Sequence, residues 1–210
     1  MMRVTVFDYG AGNLHSLVKS LTGIDRVVRV EADASDALDT DVLILPGVGA
    51  FAPAAERLRA GRDAMRAAIL GGLPTLGICL GMQLLFDASD EGAGEGLGVI
   101  PGRVTKLEAP RLPQIGWNSL DDARGPLFAS SGLGIAYYAN SFVCRPVDPS
   151  VVTAWSTHGA DRFPAGVRLG ACTGVQFHPE KSSAPGVRFI SAFLEAARST
   201  LRDPSTVVTR

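Results

Sequence analysis

Four short strand-like runs in the first eighty residues, at 4–8, 27–30, 42–45 and 75–78, are mostly apolar, without the strict alternation expected of a half-exposed strand. Between them lie stretches with helical spacing. Leu14, Leu17, Val18 and Leu21 share one face of a helix expected over 13–21, capped by Asn13. Further helices are expected at 52–60, 63–70 and 81–86. Strands buried on both faces and separated by helices predict an α/β fold with a mostly parallel central sheet flanked by helices. The second half changes character. Strand-like pieces at 103–107, 114–117, 135–143, 151–157 and 168–177 are separated by Gly, Pro and Asp clusters, which predicts a second, smaller β-rich sheet region. A last helix is expected over 185–201, with Pro185 in its first turn and Val187, Ile190, Leu194, Ala197 and Leu201 as its apolar stripe. No repeat or low-complexity linker divides the 210 residues, so a single domain is expected, with its core over about 3–201 and a frayed tail at 203–210.

Composition narrows the function classes. Twenty basic and 21 acidic side chains leave a formal charge of −1, without the basic excess that nucleic-acid binding calls for. The nearest approach to a membrane span, residues 73–86, is broken by Pro74, Thr75, two glycines and Gln83. The chain enters a strand-like run directly after Met1-Met2-Arg3, so no leader is expected and the cytoplasm is the expected location. Cys79, Cys144 and Cys172 are far apart, and with His15, His158 and His178 they predict neither a disulfide framework nor a zinc site.

Three segments carry chemistry. In Gly77-Ile78-Cys79-Leu80-Gly81, a strand meets a helix. A sharp turn there strains its central residue, and small residues two before and two after make room, as in a nucleophile elbow. The helix start would favour a thiolate at Cys79; a buried cysteine between packing glycines is the other reading. In His178-Pro179-Glu180, extended chain puts residues i and i+2 on one side. Glu180 can then hold one imidazole nitrogen while the other faces a thiol; a surface His–Glu pair is the alternative. Leu45-Pro46-Gly47-Val48-Gly49-Ala50-Phe51 offers backbone N–H groups for an oxyanion, or is an ordinary strand-to-helix turn. Gly10-Ala11-Gly12 fails as a dinucleotide fingerprint, because the third glycine position holds His15 and the nearest acidic candidate is Glu31. His15 and His158 read as solvated, and Cys144 and Cys172 as core or partly buried residues.

Together, Gly77 to Gly81 with Gln83, His178-Pro179-Glu180 and Pro46 to Phe51 resemble the class I (triad) glutamine amidotransferases. Asp8-Tyr9-Gly10-Ala11-Gly12-Asn13-Leu14, Ile115-Gly116-Trp117-Asn118 and Gly174 to Ser182 resemble, within that class, the glutaminase subunits of imidazole glycerol phosphate synthase. The likeness spans about residues 3–200. It implies hydrolysis of L-glutamine to glutamate and ammonia through a γ-glutamyl thioester on Cys79, with His178 exchanging protons and Glu180 orienting it. It further implies oxyanion donors at Gly47, Val48 and Leu80, substrate contacts from Gly49, Gln83, Glu91, Ser141 and Phe142, and neither metal nor cofactor. The implied partner is a (β/α)8-barrel cyclase subunit in a heterodimer, met by Asn13, Trp117, Asn118 and Lys181. That partner uses the ammonia to make imidazole glycerol phosphate and aminoimidazole carboxamide ribotide in histidine biosynthesis. Trp117 as a core aromatic is the competing reading of that residue. The Gly47-Val48 segment is expected to couple partner binding to turnover. Two positions depart from the family, Gln114 and Asn140, where histidine is common; both keep hydrogen bonding but give up a proton charge. Other functional readings are a glutaminase serving a different synthase, a non-catalytic scaffold of the same fold, and a cysteine hydrolase acting on peptides or small esters.

Overall fold

The computed structural model describes residues 1–10, 14–47 and 49–202. The chain begins β1 (Met2–Phe7), α1 (His15–Leu21), β2 (Arg26–Glu31), α2 (Ala34–Leu38) and β3 (Val42–Leu45). Then follow α3 (Phe51–Leu58), α4 (Arg62–Leu70), β4 (Thr75–Ile78) and α5 (Leu80–Leu84). The middle holds β5 (Ala88–Ser89), β6 (Gly92–Glu95), β7 (Gly102–Lys106), β8 (Gln114–Ser119), α6 (Pro126–Ser131), β9 (Ile135–Asn140) and β10 (Phe142–Pro146). It ends with β11 (Val152–His158), β12 (Asp161–Leu169), β13 (Cys172–Val175) and α7 (Ser183–Arg202).

Seven strands form the main sheet in the order β11-β12-β13-β4-β3-β1-β2. From β13 to β2 all neighbours are parallel, and β11 and β12 extend the sheet antiparallel at one edge. Period-two alternation splits each central strand between two cores. Val4, Val6, Val42, Ile44, Leu76 and Ile78 face one cluster with Leu17 and Leu21 of α1 and Phe189, Ile190 and Phe193 of α7. Phe7, Leu43 and Leu45 face the other, with Leu58 of α3 and Met65 and Ile69 of α4. Covering both faces is why these strands are largely apolar on both sides. The smaller sheets are β10-β7-β5-β6 and the ribbon β8-β9. They come from the middle of the chain, while the last three strands join the main sheet.

Some elements escaped the sequence. Helix α2 is five residues long, started by Asp33, whose carboxylate accepts the Ser35 N–H at 2.8 Å. Helix α6 opens on Pro126 after Gly125 and reads as a turn in sequence. Strand β12 contains Pro164 and Gly166, and its pairing with β11 shifts register beside Trp155, an irregularity that accommodates a proline inside a sheet. The run expected at 168–177 is therefore two strands joined by a turn at Gly170, where φ is +56°. The run at 135–143 divides at Ser141, because β9 and β10 belong to different sheets. Among the described residues no helix is long and apolar enough to cross a membrane.

Candidate active site

Parallel strands β3, β4 and β13 are consecutive neighbours and end at the same edge of the sheet, with Leu45 opposite Gly77 and Val175 opposite Ile78. Adjacent strands lie about 4.8 Å apart, so the segments leaving them converge: Pro46 and Gly47 after β3, Cys79 after β4, and Gln176 to Glu180 after β13. The carboxyl edge of such a sheet is where α/β proteins build sites.

Cys79 has φ +48° and ψ −103°, a strained conformation for a side-chain-bearing residue, and directly precedes α5. Its N–H donates to the Val175 carbonyl at 2.7 Å, fixing it to the end of β13. The flanking glycines are steric necessities. A Cβ on Gly77 would stand 2.7 Å from the Gly81 carbonyl oxygen, and one on Gly81 would stand 2.6 Å from the Leu45 carbonyl carbon. Gly47 lies over the reactive pair: a Cβ there would meet Cys79 Cβ and His178 Cε1, each at 3.0 Å.

His178 is buried, and its Nδ1 lies 2.8 Å from Glu180 Oε1. Its backbone N–H donates to the Tyr137 carbonyl at 2.8 Å, and its carbonyl accepts the Ser182 hydroxyl at 2.7 Å. Burial opposes a charge on the ring. A hydrogen bond to Cys79, the bond to Glu180 and the negative charges of both outweigh it and lift the imidazole from 6.5 to about 9. The arrangement is a thiol–imidazole–carboxylate line at the sheet edge. Burial instead pushes the Cys172 thiol up to about 12, and pushes Cys144 well above its usual range, so both are inert thiols.

The raised value has a consequence for stability. A histidine held above its unfolded value stabilises the fold fully below pH 6.5, and loses that contribution as pH climbs through about 9. Glu180→Gln removes one of the groups that raise it. The variant's deficit in unfolding free energy is therefore expected to be largest between roughly pH 5, where carboxylates are charged, and pH 6.5, and to fade above 9. Urea unfolding at pH 6 and pH 9.5 measures this; a deficit of equal size at both values would contradict the assignment.

Cys79 and His178 open on a cavity of about 380 Å³, also lined by Gly47, Gly49, Leu80, Gln83, Glu91, Asn140, Ser141, Phe142 and Lys181. Gly49 has φ +105°, a conformation that suits glycine. Glu91, at the β5–β6 turn, accepts the Phe51 N–H at 2.9 Å and so caps α3 from outside. Gln83 donates to the Phe142 carbonyl at 3.0 Å, and Asn140 donates to the same carbonyl at 3.1 Å. Gln114 lies opposite Asn140 across the β8–β9 ribbon; both are buried, and neither end of the Gln114 amide nor the Asn140 carbonyl oxygen has a protein partner. Both departures from the family thus fall on one cross-strand pair. On the outer face of β8, Trp117 is 55% exposed and Ile115 67%, which excludes Trp117 from the core; its ring meets Tyr137 edge-on. Asn118, on the other face, donates to the Thr157 carbonyl at 2.9 Å. His158 is half-buried and sits 3.1 Å from the Arg111 carbonyl, and it is not among the residues lining the cavity. Asn13 and Val48 lie outside the described residues. Among the described residues, no group of three or more His, Cys, Asp or Glu side chains could hold a metal ion.

One site residue was missed. Gln176 is fully buried, its Nε2 is 3.5 Å from Cys79 Sγ, and its Oε1 accepts from Gln83 Nε2 at 3.3 Å. The signal was present in the strand alternation: His178 is still extended, and two residues back along extended chain puts Gln176 on the same side, whereas Glu180 reaches the ring from a 3-10 turn over Pro179–Lys181.

A strained cysteine elbow and a buried His–Glu pair thus line one cavity at the carboxyl edge of the sheet. The chain matches the family described as Glutamine amidotransferase class-I over residues 5–196, and it belongs to that family. It is a glutamine amidotransferase. Within the family it falls among the HisH subunits of imidazole glycerol phosphate synthase. It is 40% identical over 207 residues to subunit HisH of Gloeothece citriformis, covering 94% of this chain and 98% of the relative. It is 39% identical over 202 residues to subunit HisH of Synechocystis sp., covering 91% and 95%. Among solved structures, the fold resembles a putative GMP synthase component from Thermoplasma acidophilum, with a TM-score of 0.74, 18% identity and 98% of each chain covered.

Proposed function

We propose that the chain, acting as one domain in the cytoplasm, hydrolyses L-glutamine at Cys79, His178 and Glu180 and passes the ammonia to a (β/α)8-barrel cyclase subunit making imidazole glycerol phosphate. The observation that carries this reading is the His178 ring, 2.8 Å from Glu180 and sharing with Cys79 the wall of one cavity sized for an amino acid, where both would meet a Cβ on Gly47 at 3.0 Å. The Cys79 thiolate attacks the side-chain amide carbon, and the carbonyl electrons move onto oxygen. N–H groups of the 47–49 segment and of Leu80 receive that oxyanion. The oxyanion collapses as His178 protonates the leaving nitrogen, ammonia departs, and a γ-glutamyl thioester remains. His178 then takes a proton from water, whose oxygen attacks the thioester, and glutamate leaves as the thiolate is restored. Glu180 keeps the ring oriented throughout. Gln83, Glu91, Ser141 and Phe142 hold the amino-acid end.

The β8–β9 ribbon is the proposed route from partner to site. Trp117 and Ile115 stand exposed on its outer face, while Tyr137 of the same ribbon accepts the His178 N–H through its carbonyl and donates its own N–H to Ser182 Oγ at 2.9 Å. Asn140, at the end of β9, and Ser141 after it line the cavity. Docking on the outer face would therefore bear directly on the histidine and the cavity wall.

Glutamate release measured with and without the cyclase and its nucleotide tests the function, and stimulation is the expected result. Trp117→Ala is expected to weaken cyclase binding about thirtyfold, the loss of a hot-spot aromatic worth roughly 2 kcal/mol. Titration calorimetry checks this; unchanged affinity would remove the ribbon from the interface.

A further inference from the structure

Gln176 stands beside the reacting sulfur, and its environment fixes which way its amide points. The Phe142 carbonyl can only accept, so Gln83 must present its NH₂ group there. The same Gln83 nitrogen lies 3.3 Å from Gln176 Oε1. A reversed Gln176 would set two donors against each other. Its Nε2 therefore faces Cys79 Sγ, at 3.5 Å. The chain of donors runs in one direction, from the cavity wall to the sulfur, and Gln176 is fully buried within it.

We propose that Gln176 is a catalytic residue that donates an N–H to the Cys79 sulfur and so favours the thiolate, with Gln83 as the positioning residue that fixes the direction of this donation. The inference rests on Cys79 being the nucleophile. A thiolate is a strong acceptor and a thiol a weak one, so donation stabilises the charged form. Helix α5 is five residues long, so its dipole adds modestly, and side-chain donors carry more of the work. As Gln83 also lines the cavity, the amide chain links the pocket for the amino-acid end of glutamine to the sulfur that attacks its amide.

The titratable groups around the sulfur are His178, Lys181 and Glu91, which share the cavity lining with it, and Cys144 on β10. None is altered by changes at position 176. Gln176→Met keeps length and packing but loses the donor; Gln176→Glu adds negative charge facing the sulfur. The test is alkylation of the full-length chain by iodoacetamide across pH, followed by mass spectrometry of the Cys79 peptide, with thermal unfolding as a folding control. The pH profile is expected to move upward by roughly one unit in Gln176→Met and further in Gln176→Glu, with turnover at pH 7 down about tenfold in the first. A residue that merely packs predicts no ordered shift, and a Gln176→Met profile matching wild type overturns the proposal. Should both variants unfold, NMR on the wild-type chain decides: the Gln176 side-chain amide proton must move downfield as Cys79 ionises, and an unmoved resonance rejects the donation. Glutaminase activity surviving in Cys79→Ala would overturn the underlying reading instead, whatever position 176 does.

Discussion

Cys79→Ala is expected to abolish glutamate release by the stimulated complex, lowering kcat by a factor on the order of 10⁴ to 10⁶, as loss of the nucleophile does in a triad hydrolase. The reason lies in the division of labour at the sheet edge. In the proposed mechanism His178 and Glu180 move and orient a proton and the Leu80 N–H stabilises an oxyanion, but none of them supplies the bond to carbon. Without sulfur, water must attack an unactivated amide. The fold should survive. Alanine removes one buried atom, and the strained φ of +48° at position 79 is as costly for cysteine as for alanine. Cyclase binding is likewise expected to stay, because the exposed face of β8 is untouched. The measurement is glutamate production alongside complex formation by gel filtration. Turnover within tenfold of wild type would exclude Cys79 as nucleophile, while lost assembly would show that the variant had disturbed more than chemistry.

The second large effect is on stability. Gly81→Val is expected to cost at least about 3 kcal/mol, the upper range for overpacking a core, and to lower Tm by roughly 6 to 12 °C for a chain of this size. Any Cβ at position 81 overlaps the Leu45 carbonyl, which is backbone of a fully buried central strand and cannot turn aside as a side chain would. Moving β3 displaces its partners β1 and β4, and with them Gly47 and the elbow. Turnover should therefore fall even at temperatures where the variant stays folded. Gly72→Ala serves as a control, since a Cβ there meets nothing within 4 Å and its φ of +101° charges a backbone strain alone. Differential scanning calorimetry of the two separates steric overlap from conformational strain. Equal losses would mean that crowding against Leu45 is not what makes glycine necessary at 81.

Much of the frame was legible in the chain because it is local. Val42 to Leu45 is apolar at every position and Thr75 to Ile78 carries no charge, a pattern that points to burial on both faces. Gly77 and Gly81 announced the elbow because the turn leaves no space for a Cβ. His178 and Glu180 are two apart, so their pairing is local, although a 3-10 turn over Pro179–Lys181 and not the expected extended chain brings the carboxylate to the ring. Strand β12 escaped for an equally local reason: Pro164 and Gly166 argue against a strand, and the irregular pairing with β11 that tolerates them is a property of the partner. Gln114 and Asn140 stood out as departures, but their placement opposite each other is a matter of register between β8 and β9.

Sequence by itself determined what each segment is: buried strands, a strained cysteine, a histidine with its carboxylate. Tertiary structure alone decided which segments meet. Residue 79 and residue 178 are neighbours because β13 pairs in parallel with β4, a contact between elements nearly a hundred residues apart. Nothing in either segment encodes that choice, since any apolar strand can hydrogen-bond to any other. It follows from the order β13-β4-β3 that lets both faces of the sheet be covered at once. The same packing turned Gln176, an unremarked residue before the histidine, toward the sulfur. A side chain's direction follows from its strand, but what it finds there is supplied by the rest of the fold.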